Sequence, residues 1–336
     1  VVTTIQLPTP AMHELSRRLD AIGAELIVVG DRKGPTEFAL PGAVFLSLAD
    51  QQRSDFELAR IGPVGHYTRK NVGYLEAIRR GATCLYETDD DNAPLASWAP
   101  RGMQVEAARV VAQGWVNAYR CFTDGRIWPR GLPLDVVVPS MGGARPVLAE
   151  PGIVSAPIQQ GLANGAPDVD AVWRLVLDAP FDFEDGPSVW LGPGSWCPFN
   201  SQSTWWWPQA YPLLYLPSFC SFRMTDIWRS FVAQRCLWEL GQGVVFHAPE
   251  VVQDRNLHNL MRDFNDEVPG YQRNRELVQV LEDTTLQSGA HAVADNLRRC
   301  YEALIARGFF AAEEATLVEA WLAGLSQAMD PARGPA

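Results

Sequence analysis

The sequence predicts an α/β protein built on a doubly wound, mostly parallel sheet. Three observations carry that expectation. Strand-like and helix-like patterns alternate through the first hundred residues. The strand candidates are short apolar runs of the buried-sheet kind, such as Leu26-Ile27-Val28-Val29. Acidic residues follow directly after two of them, and open α/β sheets bind ligands beyond the carboxyl ends of their strands.

Residues 1–5 read as the first strand, and Pro8-Thr9-Pro10 breaks it. A helix follows over 10–22, with Leu15, Leu19 and Ile22 on one face and Gly23 as its stop. Residues 25–29 form the second strand, ending at Gly30-Asp31-Arg32-Lys33, and 42–48 the third. The spacing of Val72, Leu75 and Ile78 predicts a helix over 67–80, closed by Gly81. The strand at 83–86 runs straight into Glu87-Thr88-Asp89-Asp90-Asp91-Asn92, so Asp31 and Asp89–Asp91 should share one crevice. The stretch 93–222, rich in Pro, Gly and Trp, reads as loops and short strands decorating the sheet. A helix is expected over 226–240, a late strand at 244–246, and helices at 273–283, 290–307 and 312–328. The stripes Val293, Leu297, Cys300, Tyr301, Leu304 and Leu317, Trp321, Leu325 should pack on the core. Residues 331–336 read as a disordered tail. The expected organisation is a catalytic domain over 1–270, a helical segment over 271–330 and that tail.

The chain has 336 residues, 47% of them hydrophobic and 20% charged, which excludes disordered, collagen-like and coiled-coil classes. Its net charge of −11 repels phosphate backbones, so no nucleic-acid partner is expected, and a phosphorylated ligand would need a local metal or arginine cluster. No apolar run approaches the ~20 residues of a membrane span, and no signal peptide is visible. Six scattered cysteines without a C-x-x-C pair read as reduced, buried thiols. With a mean hydropathy of −0.09, a cytoplasmic location is expected, with a peripheral role at an inner membrane left open.

Asp89-Asp90-Asp91 is the sharpest motif. Adjacent carboxylates repel one another and need compensation. A hard divalent cation supplies it, and Mg²⁺ or Mn²⁺ held by one or two carboxylates completes its shell with substrate phosphates. On extended backbone Asp89 and Asp91 point to the same side. A solvated acidic turn is the alternative. Eight of the twelve tryptophans lie between Trp173 and Trp238, and adjacent Trp205-Trp206-Trp207 cannot all point inward from one element. They are core or a carbohydrate platform.

The string Thr68-Arg69-Lys70-Asn71-Val72-Gly73-Tyr74-Leu75-Glu76-Ala77-Ile78, followed by Thr88-Asp89-Asp90-Asp91-Asn92, resembles the STELLO family of Golgi proteins. So do Val1–Ile5, Val28-Val29-Gly30-Asp31 with Lys33, Trp128-Pro129-Arg130-Gly131, Ile158–Leu162 with Pro167-Asp168-Val169-Asp170, and Asp226-Ile227-Trp228-Arg229 with Gln234-Arg235. More remotely, the order of motifs is similar to reversibly glycosylated polypeptides, which are UDP-arabinopyranose mutases. The resemblance covers roughly residues 1–270, with the C-terminal helices outside it.

That resemblance implies a GT-A (Rossmann-like) glycosyltransferase fold with a C-terminal helical extension, in which aspartates hold Mn²⁺ or Mg²⁺ on a nucleotide-sugar diphosphate. It implies Asp89 and Asp91 as metal ligands, with His258 as a further ligand or a structural histidine. It places Thr3, Thr4, Asp31, Lys33, Arg69, Lys70, Asp89 and Asp90 on the nucleotide. Asp168, Asp170, Trp206 and Trp228 fall on the sugar. Asp226 is implied as the catalytic carboxylate, or a helix cap. Arg130 stands where the mutases carry a sugar on arginine, though displaced relative to the preceding proline. Gln234 to Trp238 departs from the Q-x-x-R-W motif of processive transferases. The expected function is metal-dependent transfer from a nucleotide-sugar, with a UDP-sugar as leading donor, to a carbohydrate acceptor in polysaccharide synthesis. The alternatives are a pyranose/furanose mutase and a non-catalytic assembly protein.

Overall fold

The computed structural model describes residues 1–254 and 259–330. The N-terminal part follows the expected alternation. Strands β1 (Val2–Thr4), β2 (Leu26–Gly30) and β3 (Ala43–Leu46) are parallel, with Val2 opposite Val28 and Leu26 opposite Ala43. Helix α1 (Pro10–Ala21) starts at Thr9, whose Oγ1 accepts from Met12 N at 3.2 Å, and Pro10 fills a position whose N–H would be unsatisfied. Helices α2 (Leu48–Arg53) and α3 (Glu57–Ile61) lead to α4 (Lys70–Arg79). Gly73 lets α4 lie on the sheet: a Cβ there would stand 2.5 Å from Val29 Cγ2.

Strand β4 (Leu85–Thr88) belongs to a second, larger sheet and meets the first one at Val1. The Val1 amino group donates to Tyr86 O at 2.6 Å and Thr88 N donates to Val1 O at 3.3 Å, a parallel pattern around Glu87. Beyond it lie β5 (Asn92–Pro94), β6 (Gln104–Val110), β7 (Gly114–Trp115), helix α5 (Leu134–Met141), β8 (Leu148–Ser155), β9 (Ile158–Gly165) and α6 (Ala171–Val176). Then come β10 (Val189–Leu191), β11 (Ser195–Trp196), β12 (Ser203–Trp206), α7 (Thr225–Trp238) and β13 (Val244–Gln253). The large sheet runs β4-β12-β9-β13-β10-β6-β8, with β5 on the end of β13.

Two expectations change here. The three-stranded sheet β1-β2-β3 is all parallel, but the larger sheet is mixed, with β12 antiparallel to both β4 and β9. The stretch 93–222 does not merely decorate the sheet but supplies most of its strands. Polar interiors hid them: Gln159 and Gln160 of β9 are buried, their amides satisfied by Ala156 O, His247, Ser203 O and Asn200.

The C-terminal helices are α8 (Leu260–Asp283), α9 (Val293–Ala306) and α10 (Glu314–Ala328). The expected domain boundary at 270 falls inside α8, where Gly270 sits against Met224 of the sheet-bound part. Trp321 is fully buried and donates to Pro212 O at 2.9 Å; Gly324 packs on Leu75 of α4. One core therefore holds both parts, and the two predicted stripes are buried in it. All six cysteines are free thiols. None of the described helices is long and apolar enough to cross a membrane.

Candidate active site

Strand direction gathers the site. The carboxyl ends of β1, β2, β4, β9 and β13 and the amino end of β12 share one edge, since Ser203 pairs with Thr88 and Gln253 with Gly165. A cavity of about 470 Å³ opens there. Six aspartates (Asp31, Asp89, Asp90, Asp91, Asp168, Asp226) and four cationic side chains (Lys33, Arg130, Arg174, Arg223) line it.

On one side stand the three adjacent aspartates. Asp89 meets Lys70 Nζ at 3.0 Å, and the same ammonium donates to Thr88 O at 2.9 Å. Asp90 accepts from Thr4 Oγ1 at its carboxyl and from Thr9 Oγ1 at its carbonyl. Both Asp91 oxygens accept from Gln253 Nε2, at 3.1 and 3.0 Å, and Gln253 Oε1 accepts from Gln202 Nε2 at 2.8 Å. Burial raises all three carboxyls above their ordinary range; for Asp91, burial and then the Asp89 charge push it to about 6. Asp31, also on the cavity wall, accepts from Arg32 N (2.6 Å) in its own loop and from Gly65 N (2.8 Å) and His66 N (2.8 Å) in the segment before α4.

Opposite them, Arg130 is clamped between two carboxylates. Nε and Nη2 donate to the two oxygens of Asp168 at 2.8 Å, and Nη1 and Nη2 to those of Asp226 at 3.1 and 3.0 Å. The remaining Nη1 hydrogen goes to Arg223 O. All five N–H groups are thus spent on oxygens. Gly131, at φ +93°, turns the chain just behind it; a Cβ there would stand 2.4 Å from Ile227 Cγ2. Burial opposes the charge on Asp226, but the Arg130 guanidinium outweighs it and holds the carboxyl below its usual range. Asp226 lies in the first turn of α7 without capping it, and Ser201 N approaches its Oδ2 at 3.3 Å.

Several predicted site residues lie elsewhere. Arg69 is buried behind the cavity, donating to Gln51 Oε1 and Ala59 O, so it holds α2 and α3 rather than facing the cleft. Lys70 reaches the site only through Asp89. Asp170 points away from Asp168: it caps α6, accepting from Trp173 N (2.8 Å) and Trp128 Nε1 (2.6 Å), and burial pushes it to about 7. Trp206 donates to Glu87 and Trp228 to Asn274, both inside the core. Trp205 and Trp207 are buried as well, so no member of that run is exposed; the strand's two faces both lie against protein. Gln234 binds Cys197 N, and Trp238 packs on Trp196. Arg130, by contrast, lines the cavity as the resemblance implies. His258 lies outside the described residues.

Sequence reasoning missed His66, Tyr67, Asn200–Gln202, Phe222, Arg223 and Gln253, all of which line the cavity. One signal was available for Gln253. Read to its full ten residues, β13 ends there, and a strand's carboxyl end is where a ligand-facing residue belongs. Among the described residues no three His, Cys, Asp or Glu side chains converge on a point that could hold a metal ion.

A mixed α/β sheet with aspartates at its strand ends fits a Rossmann-like protein of the glycosyltransferase class. The model of the STELLO glycosyltransferases matches residues 223–330. The chain is also similar to two Arabidopsis thaliana proteins. "Probable glycosyltransferase STELLO2" is 29% identical over 354 residues, covering 97% of this chain and 44% of that protein. "Probable glycosyltransferase STELLO1" is 30% identical over 279 residues, covering 74% of this chain and 34% of that protein. This is a STELLO-like chain, and it spans less than half the length of these curated relatives. The match over 223–330 also corrects the expected extent of the resemblance: the C-terminal helices belong to it.

Proposed function

We propose that the chain transfers a glycosyl group from a nucleoside-diphosphate sugar, with a UDP-sugar as leading donor, to a carbohydrate acceptor, and that it does so with a divalent cation. The observation that carries this reading is the aspartate run at the end of β4, where three adjacent carboxyls face the cavity with one paired ammonium, Lys70 on Asp89. Three neighbouring carboxyls are raised together, in a cavity with more aspartates than cations. Those residues fit Mn²⁺ or Mg²⁺ held by Asp91 and Asp89 together with diphosphate oxygens, the sharing that two carboxylates without a third protein ligand require. The ion would act as a Lewis acid on the leaving diphosphate.

The chain's own residues do the rest. Thr4 and Thr9 fix Asp90 so that the aspartate turn keeps its shape. Thr3, Thr4, Asp31 and Lys33 line the wall on which the nucleoside would lie. Arg130 keeps Asp226 ionised and aimed. In an inverting displacement the acceptor oxygen bonds to the sugar C1, the C1–oxygen bond to the diphosphate breaks, and Asp226 takes the acceptor's proton. A carboxylate of lowered pKa is a weak base, sufficient once the attacking hydroxyl has become acidic in the transition state.

The test is release of nucleoside diphosphate from a panel of nucleotide-sugars, with Mn²⁺ and mono- and oligosaccharide acceptors. Asp91→Asn should abolish metal-dependent release while its circular dichroism stays that of the parent chain. Undiminished turnover in that variant rejects the assignment.

A further inference from the structure

The tryptophan run expected to meet sugar is buried, yet the cavity has an aromatic surface of another origin. His66 and Tyr67 come from the turn before α4, and Phe222 from the turn before α7. Their rings meet at the mouth: His66 to Phe222 at 5.3 Å and 68°, Tyr67 to Phe222 at 5.1 Å and 71°. All three line the cavity. Phe222 is 48% exposed, although a ring of that size gains from burial. The group is also held rigid relative to Asp226. Asp31 fixes His66 N, and Arg130 donates to Arg223 O, the carbonyl next to Phe222, while gripping Asp226.

The polar groups of these rings are arranged unevenly. His66 Nδ1 is used internally by Thr68. Tyr67 OH has no hydrogen bond among the described residues, and the charges that act on it most strongly are those of Asp226 and Arg130. Burial and the Asp226 charge keep the phenol protonated, so it can donate as well as accept. A half-exposed ring beside an unspent hydroxyl, on the same cavity as Asp226, matches a ligand with an apolar face and hydroxyls on its rim. A pyranose has that form. A nucleobase fits less well, since the Asp31 oxygens beside this rim already accept three backbone N–H groups. The six aspartates of the cavity disfavour an anionic sugar.

We propose that Phe222 and Tyr67, braced by His66, form the acceptor subsite, stacking an uncharged pyranose on Phe222 and binding one of its hydroxyls with Tyr67 OH beside Asp226. This rests on the glycosyltransfer reading and names the acceptor side of that same cavity.

The experiment uses the full chain and two probes. Saturation-transfer NMR with the methyl glycosides of glucose, galactose, mannose and arabinose reads the subsite. Calorimetry with uridine diphosphate and Mn²⁺ reads the donor side. Wild type should transfer saturation to the ring C–H protons of at least one glycoside. Phe222→Ala should weaken that glycoside about fivefold, the size of one aromatic contact. Tyr67→Phe, which removes only the hydroxyl, should weaken it about threefold, as a neutral hydrogen bond does. Neither should change nucleotide affinity, and the unchanged melting temperature of Tyr67→Phe controls for folding. Transfer to none of the glycosides in wild type overturns the proposal, as does a loss confined to, or equal for, the nucleotide. Failure of wild type to bind any nucleotide while glycosides bind normally would instead strike the donor reading and leave this subsite standing.

Discussion

The two walls of the cavity solve the burial of carboxylates in opposite ways. At Arg130 two aspartates share one guanidinium, every N–H is spent, and Asp226 is held below its ordinary range. At the end of β4 Lys70 pairs with Asp89 alone, Asp90 and Asp91 have only neutral partners in Thr4 and Gln253, and all three are raised. The first wall is complete as folded. The second is short of positive charge, which is the condition of a surface that a cation completes. Arg130 and its two carboxylates satisfy one another, whereas the part-exposed aspartate run faces a cavity with room for a further cation.

The contrast can be broken from its balanced side first. Arg130→Leu leaves Asp168 and Asp226 buried without a counter-charge and should cost ~3–5 kcal/mol of stability, read by urea denaturation. A loss below ~1 kcal/mol would mean that the cluster is solvated and the contrast false. On the other wall, Asp91→Asn removes one of two proposed metal ligands and should abolish detectable nucleoside diphosphate binding in Mn²⁺. It should leave stability unchanged or raised, because it removes a repelling charge. A marked fall in melting temperature would show that Asp91 is a structural residue.

The two walls should also titrate differently. Asp91 must be ionised to hold a cation, so metal-dependent affinity should fall as pH drops through about 6, by calorimetry at successive pH values. Without metal the sign for stability is reversed. Because the folded pKa is raised, the folded chain binds more protons than the unfolded one, and stability declines as pH rises from near 4 through about 6. Asp226, shifted the other way, stays charged across that window. The smallest effect belongs to Lys33, exposed at the cavity mouth. Lys33→Ala should change nucleotide affinity by no more than about fivefold, as an exposed ion pair does, and should leave melting unmoved.

The same contrast explains what was legible in the sequence. The aspartates after β4 could be read because the signal is local: an apolar strand, then adjacent charges. Strands β1 to β4 and helices α1 and α4 were legible for the same reason. Asp226 and Asp168 stood out only through a family resemblance, since their partner Arg130 lies 96 and 38 residues away in the chain. Strand β13 was read as three residues because His247, Pro249 and Glu250 interrupt its apolar run. Those groups are satisfied from other strands, His247 by Gln159 at 2.9 Å and Glu250 by Ser203 and Trp205 at 2.8 Å. Trp205, Trp206 and Trp207 looked too many for one interior because a strand with both faces covered cannot be told from an exposed one by composition. Their indole N–H partners, Glu250 for Trp205 and Glu87 for Trp206, are themselves buried acids that local sequence gives no reason to expect inside.

The most direct test of the account is calorimetric titration of uridine diphosphate into wild type and Asp91→Asn, each with Mn²⁺ and with EDTA. The account predicts binding by wild type in Mn²⁺ alone and by the variant in neither. Equal affinity in EDTA, or undiminished binding by Asp91→Asn, would contradict it: the aspartate run would then be a solvated turn beside a cavity that needs no cation.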